Sequence, residues 1–389
     1  MDKKTKHNRK KGNKPNKKKL LIVCQTGGFL IVDIANAAFH YYEEVTLLTG
    51  GFSEIERKLD ERVKVDSMIC YDKSSTIKRI WTWVWATIQT FHKILWHYRD
   101  YDVYYFSNPP TSYFCSVLLK NKFRVAIWDL YPDGLMTINI GDNNIVSRIW
   151  AWFDRKAFNK AETVVTLADS MKQLMSKYCP LDRIRIAPLW SGSSQFKPIA
   201  KEQNPFVCDN GLENKFTVLY SGNIGWSHDV DVLVEVAKIL KEDKDIMFVI
   251  IGEGKKKMVI EKMVKEYKLS NVIMLPFQPV DVLPYSLASA DIGVVTLDEK
   301  VAKVAIPSKT FNLMAVGAPI LAIANKETEI HNLISKYENG VCIPKSNVES
   351  IANYIIELKE NHAKWQIISG NSLKAMECHA FDNALKYFE

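Results

Sequence analysis

Residues 216–225 read FTVLYSGNIG, an apolar run that passes directly into a glycine turn. Short apolar runs without polar alternation are typical of strands that are buried on both faces of a parallel sheet. The same arrangement occurs at residues 247–254, MFVIIGEG, and at residues 20–28, LLIVCQTGG. Because strand, glycine turn and helix are the units of doubly wound sheets, these stretches predict parallel α/β structure in both halves of the chain.

Two series of such strands are predicted. The first comprises residues 20–24, 44–49, 63–65, 102–106, 124–128, 163–167 and 184–187. The second comprises residues 216–220, 247–251, 272–275, 292–296, 320–323 and 340–343. Helical segments lie between most of them, which predicts parallel sheets covered on both faces. The expected fold class is therefore α/β, with two Rossmann-like doubly wound domains.

The predicted boundaries divide the chain into five parts. They are a disordered basic tail at 1–19, a first Rossmann-like domain at 20–195, a linker at 196–214, a second Rossmann-like domain at 215–370 and a C-terminal helix at 371–389. The linker is assigned because Gly, Ser, Pro and Asn interrupt the periodicity there. A return of the C-terminal helix to the first domain is one arrangement that these boundaries allow.

The composition fits this fold and argues against several other classes of protein. Of the 389 residues, 47% are hydrophobic and 25% are charged, as in a soluble protein with two cores of ordinary size. The seven cysteines lack CxxC spacing and the eight histidines lack an HExxH pattern, so we expect neither a disulfide framework nor a metal site. Unpaired cysteines indicate a reducing, cytoplasmic compartment.

Positive charge is concentrated at the start of the chain. Residues 1–19 contain ten Lys or Arg and one acid, so this tail carries +9 while the rest of the chain carries −1. The tail has no apolar core of the kind found in a secretion signal. It is interpreted as a solvated leader or as a tether to an anionic membrane surface, where each basic residue contributes on the order of 1 kcal/mol. Nucleic-acid binding is the less favoured alternative, since it rests on the tail alone.

Three segments follow strands of the second series at the edge where parallel sheets bind ligands. Two are the glycine turns at 221–225 and 252–254, because glycine lets the backbone approach a phosphate. The first is not a full GxGxxG, which argues against an ordinary NAD site. Each turn alone is a weak signal, since most such turns only connect a strand to a helix.

The third segment is residues 306–319, IPSKTFNLMAVGAP. Pro307 and Ser308 predict a helix start with Ser308 as its cap. Lys309 and Asn312 are three positions apart and therefore share one face of the first turn. A cation and an amide at that place suit a diphosphate and a ribose. The alternative is a capped helix with a surface lysine.

Taken together, seven segments resemble the retaining glycosyltransferases of GT-B fold, family 4, nearest to bacterial members that build capsule, O-antigen or exopolysaccharide. The resemblance covers nearly the whole chain after residue 19 and implies two domains that face each other across a cleft. The segments are residues 24–28 (CQTGG), 128–133 (WDLYPD), 166–171 (TLADSM), 221–225 (SGNIG), 252–254 (GEG), 290–294 (ADIGV) and 307–319 (PSKTFNLMAVGAP).

The resemblance implies that the second domain binds a nucleotide-sugar donor. The turn at 221–225 would face the diphosphate, the turn at 252–254 would approach the base, and the segment at 307–312 would hold phosphate, ribose and sugar. The implied donor-binding residues are Ser221, Gly222, Asn223, Gly225, His228, Gly252, Gly254, Pro307, Ser308 and Asn312.

The sequence departs from the family pattern at four positions. Asn223 and His228 occupy places where relatives often have Arg and Lys. Val304 and Asn312 occupy the places of two glutamates that relatives carry eight positions apart. The missing charges make Lys309 the best candidate for the cation that meets the phosphate.

The resemblance also implies how the chemistry proceeds. Lys309 and Asp129 are the catalytic candidates, and Gly27, Gly28 and Asp133 are the acceptor-binding candidates. Lys309 would stabilise the departing nucleoside diphosphate without an obligatory metal or any other cofactor. The acceptor hydroxyl would enter on the leaving-group side, with retention of configuration. For Asp129 and Asp133, a helix cap or turn is the alternative role.

An aromatic stretch at 80–98 allows two interpretations. It contains Trp81, Trp85 and Trp96 and is flanked by basic residues. A core helix is one interpretation, and a segment that dips among lipid headgroups is the other. In the second case the segment would act with the basic tail to bring the protein to a lipid-linked glycan at the inner face of the membrane.

Glycosyl transfer from a nucleotide sugar to a glycan, in the synthesis of a cell-surface polysaccharide, is thus the favoured function. A noncatalytic GT-B scaffold for another transferase is the alternative that the missing glutamates motivate. A two-domain sugar-binding protein is a second alternative, and the lack of a secretion signal argues against it.

Overall fold

Two parallel sheets organise the protein, whose computed structural model describes residues 18–131, 145–226, 228–296 and 307–389. The first sheet contains β1 (Lys19–Val23), β2 (Glu44–Thr49), β3 (Lys64–Ser67), β4 (Asp102–Phe106), β5 (Phe123–Ile127), β6 (Thr163–Thr166) and β7 (Ile184–Ile186). Its strand order is β3-β2-β1-β4-β5-β6-β7, and all of its ladders are parallel.

The second sheet repeats this topology with six strands. It contains β8 (Phe216–Ser221), β9 (Ile246–Ile251), β10 (Val272–Leu275), β11 (Ile292–Thr296), β12 (Ile320–Ile323) and β13 (Gly340–Ile343). The order is β10-β9-β8-β11-β12-β13, again with parallel ladders. In each sheet the winding reverses beside the first strand, between β1 and β4 and between β8 and β11. Ligands of doubly wound sheets bind in the crevice at such a reversal.

Helices cover both sheets. They are α1 (Phe29–Ala37), α2 (Thr76–His97), α3 (Ile145–Lys160), α4 (Asp169–Met175), α5 (Pro205–Asp209), α6 (Asp231–Ile239), α7 (Lys257–Glu266), α8 (Leu283–Leu287), α9 (Lys309–Ala315), α10 (Glu329–Tyr337), α11 (Val348–Glu360) and α12 (His362–Met376). The central strands are almost fully buried because helices lie on both faces of each sheet, which explains their continuous apolar sequences. The α/β fold class predicted from the sequence is confirmed.

The segment predicted to be a linker contains a helix. Asn204 precedes α5, and its side-chain oxygen accepts the amide of Phe206 at 3.1 Å, while Pro205 occupies the first turn. These are favourable residues for a helix start. The side-chain amide of Asn204 also donates to the carbonyl of Tyr285 at 2.9 Å. Residues 205–209 therefore pack with α8 of the second half, which the low periodicity of this segment did not indicate.

The C-terminal residues return to the first sheet, although not as the single helix predicted for 371–389. The helix α12 ends at Met376, and the extended backbone of Ala380 separates two 3-10 turns. Beyond them, the carbonyl of Tyr387 accepts a hydrogen bond from the Tyr104 hydroxyl at 2.9 Å. The hydroxyl of Tyr387 accepts the indole N–H of Trp128 at 3.0 Å. The chain end is thus fixed beside β4 and β5.

Within the described ranges, no helix is long and apolar enough to cross a bilayer. Three expectations fall outside these ranges: the basic tail up to residue 17, the acceptor candidate Asp133 and the departure at Val304. The exact domain boundaries remain predictions.

Candidate functional site

Two glycine turns interlock at the carboxyl edge of the second sheet. The amide of Gly222, after β8, donates to the carbonyl of Ile251 at 2.9 Å, and the amide of Ile224 donates to Glu253 at 2.8 Å. A Cβ on Gly252 would lie 1.9 Å from the carbonyl oxygen of Gly222. Only glycine permits this approach, so the two turns form one closely packed rim.

This packing changes the expected use of the backbone amides. The amides of Gly222, Ile224 and Gly252 are all engaged in bonds between neighbouring strands and turns. They are therefore not free to bind a diphosphate, as the glycine pattern had suggested for Gly222 and Gly252. Among the described residues, the amides of Asn223 and Gly225 donate to no backbone carbonyl. The amides of Glu253 and Gly254 in the second turn likewise donate to no backbone carbonyl of the described residues, so both turns offer main-chain donors to an anion.

Lys309 brings a cation to the same rim. Its ammonium nitrogen lies 4.1 Å from the centre of the Tyr220 ring. A Cβ on Gly222 would be 3.2 Å from this nitrogen, so the ammonium lies against the first glycine turn. The nitrogen is covered from solvent and has no hydrogen-bond partner in the described part of the chain. The structure thus joins two sequence-predicted elements, Lys309 and Gly222, at one point.

The environment of Lys309 alters its protonation. Burial lowers the pKa of its amine from 10.5 to about 7, because the charged form loses its hydration there. The electron-rich face of Tyr220 compensates for only part of that loss. A buried cation without a partner costs free energy until an anion binds beside it. The site is therefore prepared for a negatively charged ligand.

Ser308 and Asn312, both predicted to bind the donor, lie differently from expectation. Ser308 is exposed and makes no cap hydrogen bond, because its backbone is already helical rather than extended. The side-chain oxygen of Asn312 accepts the amide of Gly192 at 3.0 Å and the hydroxyl of Ser191 at 3.3 Å. Asn312 therefore ties α9 to the segment that follows the first sheet. Pro307 lies immediately before this turn and is partly buried.

The two departures near the first glycine turn come together in space. A Cβ on Gly225 would lie 2.8 Å from the side-chain nitrogen of Asn223 and 3.5 Å from Nδ1 of His228. Both side chains thus flank Gly225. A Cβ on Gly254 would lie 2.3 Å from the carbonyl oxygen of Ile224, which gives Gly254 the same packing role as Gly252.

Asp129 lies at the carboxyl edge of the first sheet. The Ser107 hydroxyl accepts the amides of Trp128 at 2.9 Å and of Asp129 at 3.2 Å, which fixes the turn after β5. The Asp129 side chain is exposed, yet the surrounding protein raises the pKa of its carboxyl by partial desolvation. The Asp129 carboxyl therefore holds its proton more readily than a fully hydrated carboxyl does.

The acceptor candidates Gly27 and Gly28 have different environments. A Cβ on Gly27 would lie 2.1 Å from Cγ2 of Ile31, so a side chain there would clash with α1. Gly28 occupies the N-cap of α1, and the nearest atom to a Cβ there would be 3.9 Å away, on Ser53. Gly27 is thus required by packing, whereas Gly28 leaves open space at the edge of the first sheet.

An open groove of about 690 Å³ extends from this edge beside the start of α2. The residues that line it include Tyr71, Asp72, Lys73, Lys78 and Trp81. Burial raises the pKa of Tyr71, which also feels the charges of Arg79 and Asp129. Tyr71 of the groove thus lies within the electrostatic reach of Asp129.

Several site residues were not assigned a role from the sequence. Tyr220 supplies the ring beneath Lys309, and its hydroxyl donates to the carbonyl of Asn223 at 2.6 Å. Arg79 has a buried Nε without a partner among the described residues and lies within the electrostatic reach of Tyr71. Tyr220 could have been predicted as a site residue from one feature of the sequence, a polar aromatic side chain at the end of a buried strand.

Two doubly wound parallel sheets in one chain, of seven and six strands, are the architecture of the GT-B fold. Residues 207–374 match the family model described as "Glycosyl transferases group 1". This match covers the second sheet together with Lys309 and both glycine turns.

Two curated relatives match over part of their length. The putative colanic acid biosynthesis glycosyl transferase WcaI of Escherichia coli is 29% identical over 58% of this chain and 57% of the relative. The probable glycosyltransferase WbjE of Pseudomonas aeruginosa is 24% identical over 61% of this chain and 60% of the relative. The aligned region thus spans less than two thirds of either relative.

A solved structure agrees with the whole fold. HepE of Anabaena, crystallised with UDP, superposes with a TM-score of 0.71 at 12% identity, covering 95% of this chain and 98% of that one. At this identity the likeness establishes the fold alone.

Proposed function

We propose that this protein is a glycosyltransferase that moves a sugar from a nucleotide-sugar donor to a glycan during the synthesis of a cell-surface polysaccharide. The observation that carries the proposal is the partnerless ammonium of Lys309 at the reversal point of the second sheet. An anion is the ligand that such a group requires. The family match and the names of the two relatives support the same activity.

In this proposal the reaction exchanges two bonds at the anomeric carbon of the sugar. The bond to the β-phosphate oxygen breaks, and a bond to the acceptor oxygen forms on the same face, so the configuration is retained. The acceptor proton passes to the departing phosphate. Lys309 stabilises the negative charge that develops on the leaving group, and the amides of Asn223 and Gly225 are the main-chain donors beside it. No metal ion is required in this scheme.

The first sheet would supply the acceptor side. Asp129 lies in a turn fixed by Ser107, within the electrostatic reach of Tyr71 in the groove beside α2. We propose that its carboxylate accepts a hydrogen bond from an acceptor hydroxyl and orients it, while Gly28 leaves room for the sugar at the same edge. Charge-assisted hydrogen bonds of this kind are stronger than neutral ones.

Location follows from the chemistry of the substrates and the thiols. All seven cysteines are free, which fits a reducing compartment. We therefore propose that the reaction takes place in the cytoplasm, on a glycan held at the inner face of the membrane.

The test begins with donor identity. Thermal shifts are measured with the diphosphates of uridine, guanosine, adenosine and cytidine, with UDP first because HepE was crystallised with it. The nucleotide sugar of the best binder is then assayed for hydrolysis with EDTA present, and the anomer of the released sugar is assigned by NMR at early times. Binding together with metal-independent hydrolysis to the retained anomer supports the proposal.

A noncatalytic GT-B scaffold is the second candidate, and one observation favours it. Asn312 stands where relatives carry a glutamate, and its side-chain oxygen is occupied by Gly192 and Ser191. In that case the wild-type protein would bind no nucleotide and hydrolyse no donor. The Lys309→Ala variant would give the same result as the wild type in both assays.

A further inference from the structure

The outward faces of α2 and α3 carry large apolar side chains that are exposed among the described residues. We propose that they form one docking face for an anionic phospholipid bilayer. The docking face is defined by Ile77, Trp81, Val84 and Trp85 of α2 and by Ile149 and Trp152 of α3. Their exposed fractions range from 41% at Trp85 to 81% at Ile77. Contiguous exposed apolar surface of this extent marks an interaction site.

The helix α2 shows that this exposure is organised. Its exposed apolar residues fall at 77, 80, 81, 84, 85, 88 and 96, and the first six lie on one side of the helix, as in a single helical stripe. The opposite side of the helix is buried through Trp83, Ala86, Thr90 and Ile94. One side of α2 therefore packs into the core of the first half of the chain. The exposed apolar side of α2 needs a different partner.

The two helices pack against common residues. The inward ring of Trp83 meets the Tyr131 ring edge-on at 5.8 Å, and Tyr131 stacks on Trp150 of α3 at 5.5 Å. Both helices also pack on the 3-10 segment Ser112–Val117. There, Phe153 of α3 stacks on Phe114 of the segment. Both helices therefore pack against the same residues of the first half of the chain, Tyr131 and the segment Ser112–Val117.

The charges around the docking face identify its occupant. The helix α2 contains Lys78, Arg79 and Lys93 and no Asp or Glu. The helix α3 contains four basic residues and one acid, Asp154, which is buried and accepts the Tyr113 hydroxyl at 2.9 Å. The exposed charge on the two helices themselves is therefore only positive, while Lys78 pairs with Asp72 at 3.6 Å and Lys93 with Asp66 at 2.6 Å. A second copy would bring like charges together, whereas anionic headgroups complement them.

The residue types and the chain start agree with a lipid surface. Tryptophan beside Lys and Arg is characteristic of helices that lie in the headgroup region. The ten basic residues of 1–19 lead into β1, where Lys19 pairs with Asp100 at 2.7 Å, three residues beyond the end of α2. Lys19 thus joins the fold near the C-terminal end of α2.

The docking face also adjoins the groove beside α2, because Trp81 belongs to both. This part of the inference rests on the proposed glycosyltransferase function. It places the acceptor groove at the membrane surface, where Lys73 and Lys78 would meet the phosphate of a lipid-linked glycan. The acceptor would then reach Asp129 without leaving the bilayer.

The test is vesicle flotation of the full chain. Vesicles of phosphatidylcholine alone are compared with vesicles that contain about 30% phosphatidylglycerol, because the attraction requires anionic lipid. The variant Trp85→Ser/Trp152→Ser removes one side chain from each helix; neither residue lines the groove or the nucleotide rim, although Trp85 stacks on Trp81, which lines the groove. The matched control is Ile239→Ser/Ile367→Ser, which removes exposed apolar side chains from α6 and α12.

We expect the wild type and the control to bind anionic vesicles equally. The Trp85/Trp152 variant should bind them at least about tenfold more weakly. Equal binding of the two variants, or no preference for anionic lipid, would overturn the proposal. Self-association of the wild type that the Trp85/Trp152 variant abolishes would assign the face to a second copy instead. The nucleotide thermal shift of each variant is an independent readout, so failure here is distinguishable from failure of the proposed function.

Discussion

The carboxyl edges of the two sheets are built from the same topology but differ in character. At the second sheet, Gly222 and Gly252 lock two turns together, and the ammonium of Lys309 is enclosed beside them. At the first sheet, Asp129 is open to water and a broad groove extends toward α2. One edge is rigid and holds a hidden cation, whereas the other is open and holds an accessible carboxylate.

This difference indicates a division of tasks. A diphosphate is small and always anionic, so a preorganised cation in a dry rim suits it, because little reorganisation is needed when further negative charge develops. A glycan acceptor is bulky and arrives from a surface, so it needs an open groove. The same doubly wound frame can serve both because the differences lie in the loops.

Lys309→Met is expected to have the largest effect, since it removes the cation and retains the length of the side chain. Turnover of the nucleotide sugar should fall about 100- to 1,000-fold, as when one group that stabilises a leaving charge is lost. Steady-state hydrolysis of the donor measures this effect. The control is Lys374→Met on the exposed side of α12, which should retain wild-type turnover.

The same variant should be more stable than the wild type by about 1–4 kcal/mol near neutral pH, because it removes an unpaired buried charge. The folded pKa of Lys309 lies below its unfolded value of 10.5, so the unfolded state binds more protons between about 7 and 10.5. Wild-type stability relative to the variant should therefore rise with pH across this range. Urea unfolding at several pH values measures the difference, and a constant difference would contradict the burial of this amine.

Gly252→Ala tests the rigidity of the second edge. The added methyl group would lie 1.9 Å from the carbonyl oxygen of Gly222, which forces the two turns apart. We expect a loss of about 2–4 kcal/mol in the free energy of unfolding and weaker nucleotide binding. Gly370→Ala in α12 has open space around the new methyl group and should stabilise by about 0.5–1 kcal/mol. Similar unfolding curves for the two variants would show that the turns are not locked.

Asp129→Asn tests the open edge and should have a smaller effect. It should lower transfer to a glycan about 10- to 100-fold by weakening one charge-assisted hydrogen bond, while hydrolysis of the donor by water stays near the wild-type rate. The ratio of transfer to hydrolysis measures the change. A parallel decline of both activities would place Asp129 on the donor side and remove the contrast between the edges.

Most of the fold could be predicted from the sequence because strand burial leaves a continuous apolar run. The strands 44–49, 102–106, 272–275, 292–296, 320–323 and 340–343 were predicted with the bounds that the structure has. The helix α5 was missed because it is one short turn whose start depends on Asn204. The C-terminal 3-10 turns were missed because their contacts with Tyr104 and Trp128 come from distant parts of the chain.

The site was predicted less completely, for physical reasons. Strand ends and glycine turns indicated where Lys309 would lie, since the carboxyl ends of parallel strands share one edge. The engagement of Asn312 with Gly192 and the covering of Lys309 by Tyr220 depend on tertiary packing that no local pattern encodes. The sequence could not decide between a core helix and a lipid-facing segment for α2. The periodicity of a helix reveals an apolar face but not what covers that face.

The most direct test is the proton balance of nucleotide binding. UDP, or the best-binding diphosphate, is titrated calorimetrically at pH 8 in buffers that differ in ionisation enthalpy. Because the free amine of Lys309 has a pKa of about 7 and a bound diphosphate would raise it, we predict that the wild type takes up close to one proton and that Lys309→Met takes up none. The same proton balance in both proteins would contradict the assignment of Lys309 as the cation that meets the leaving group.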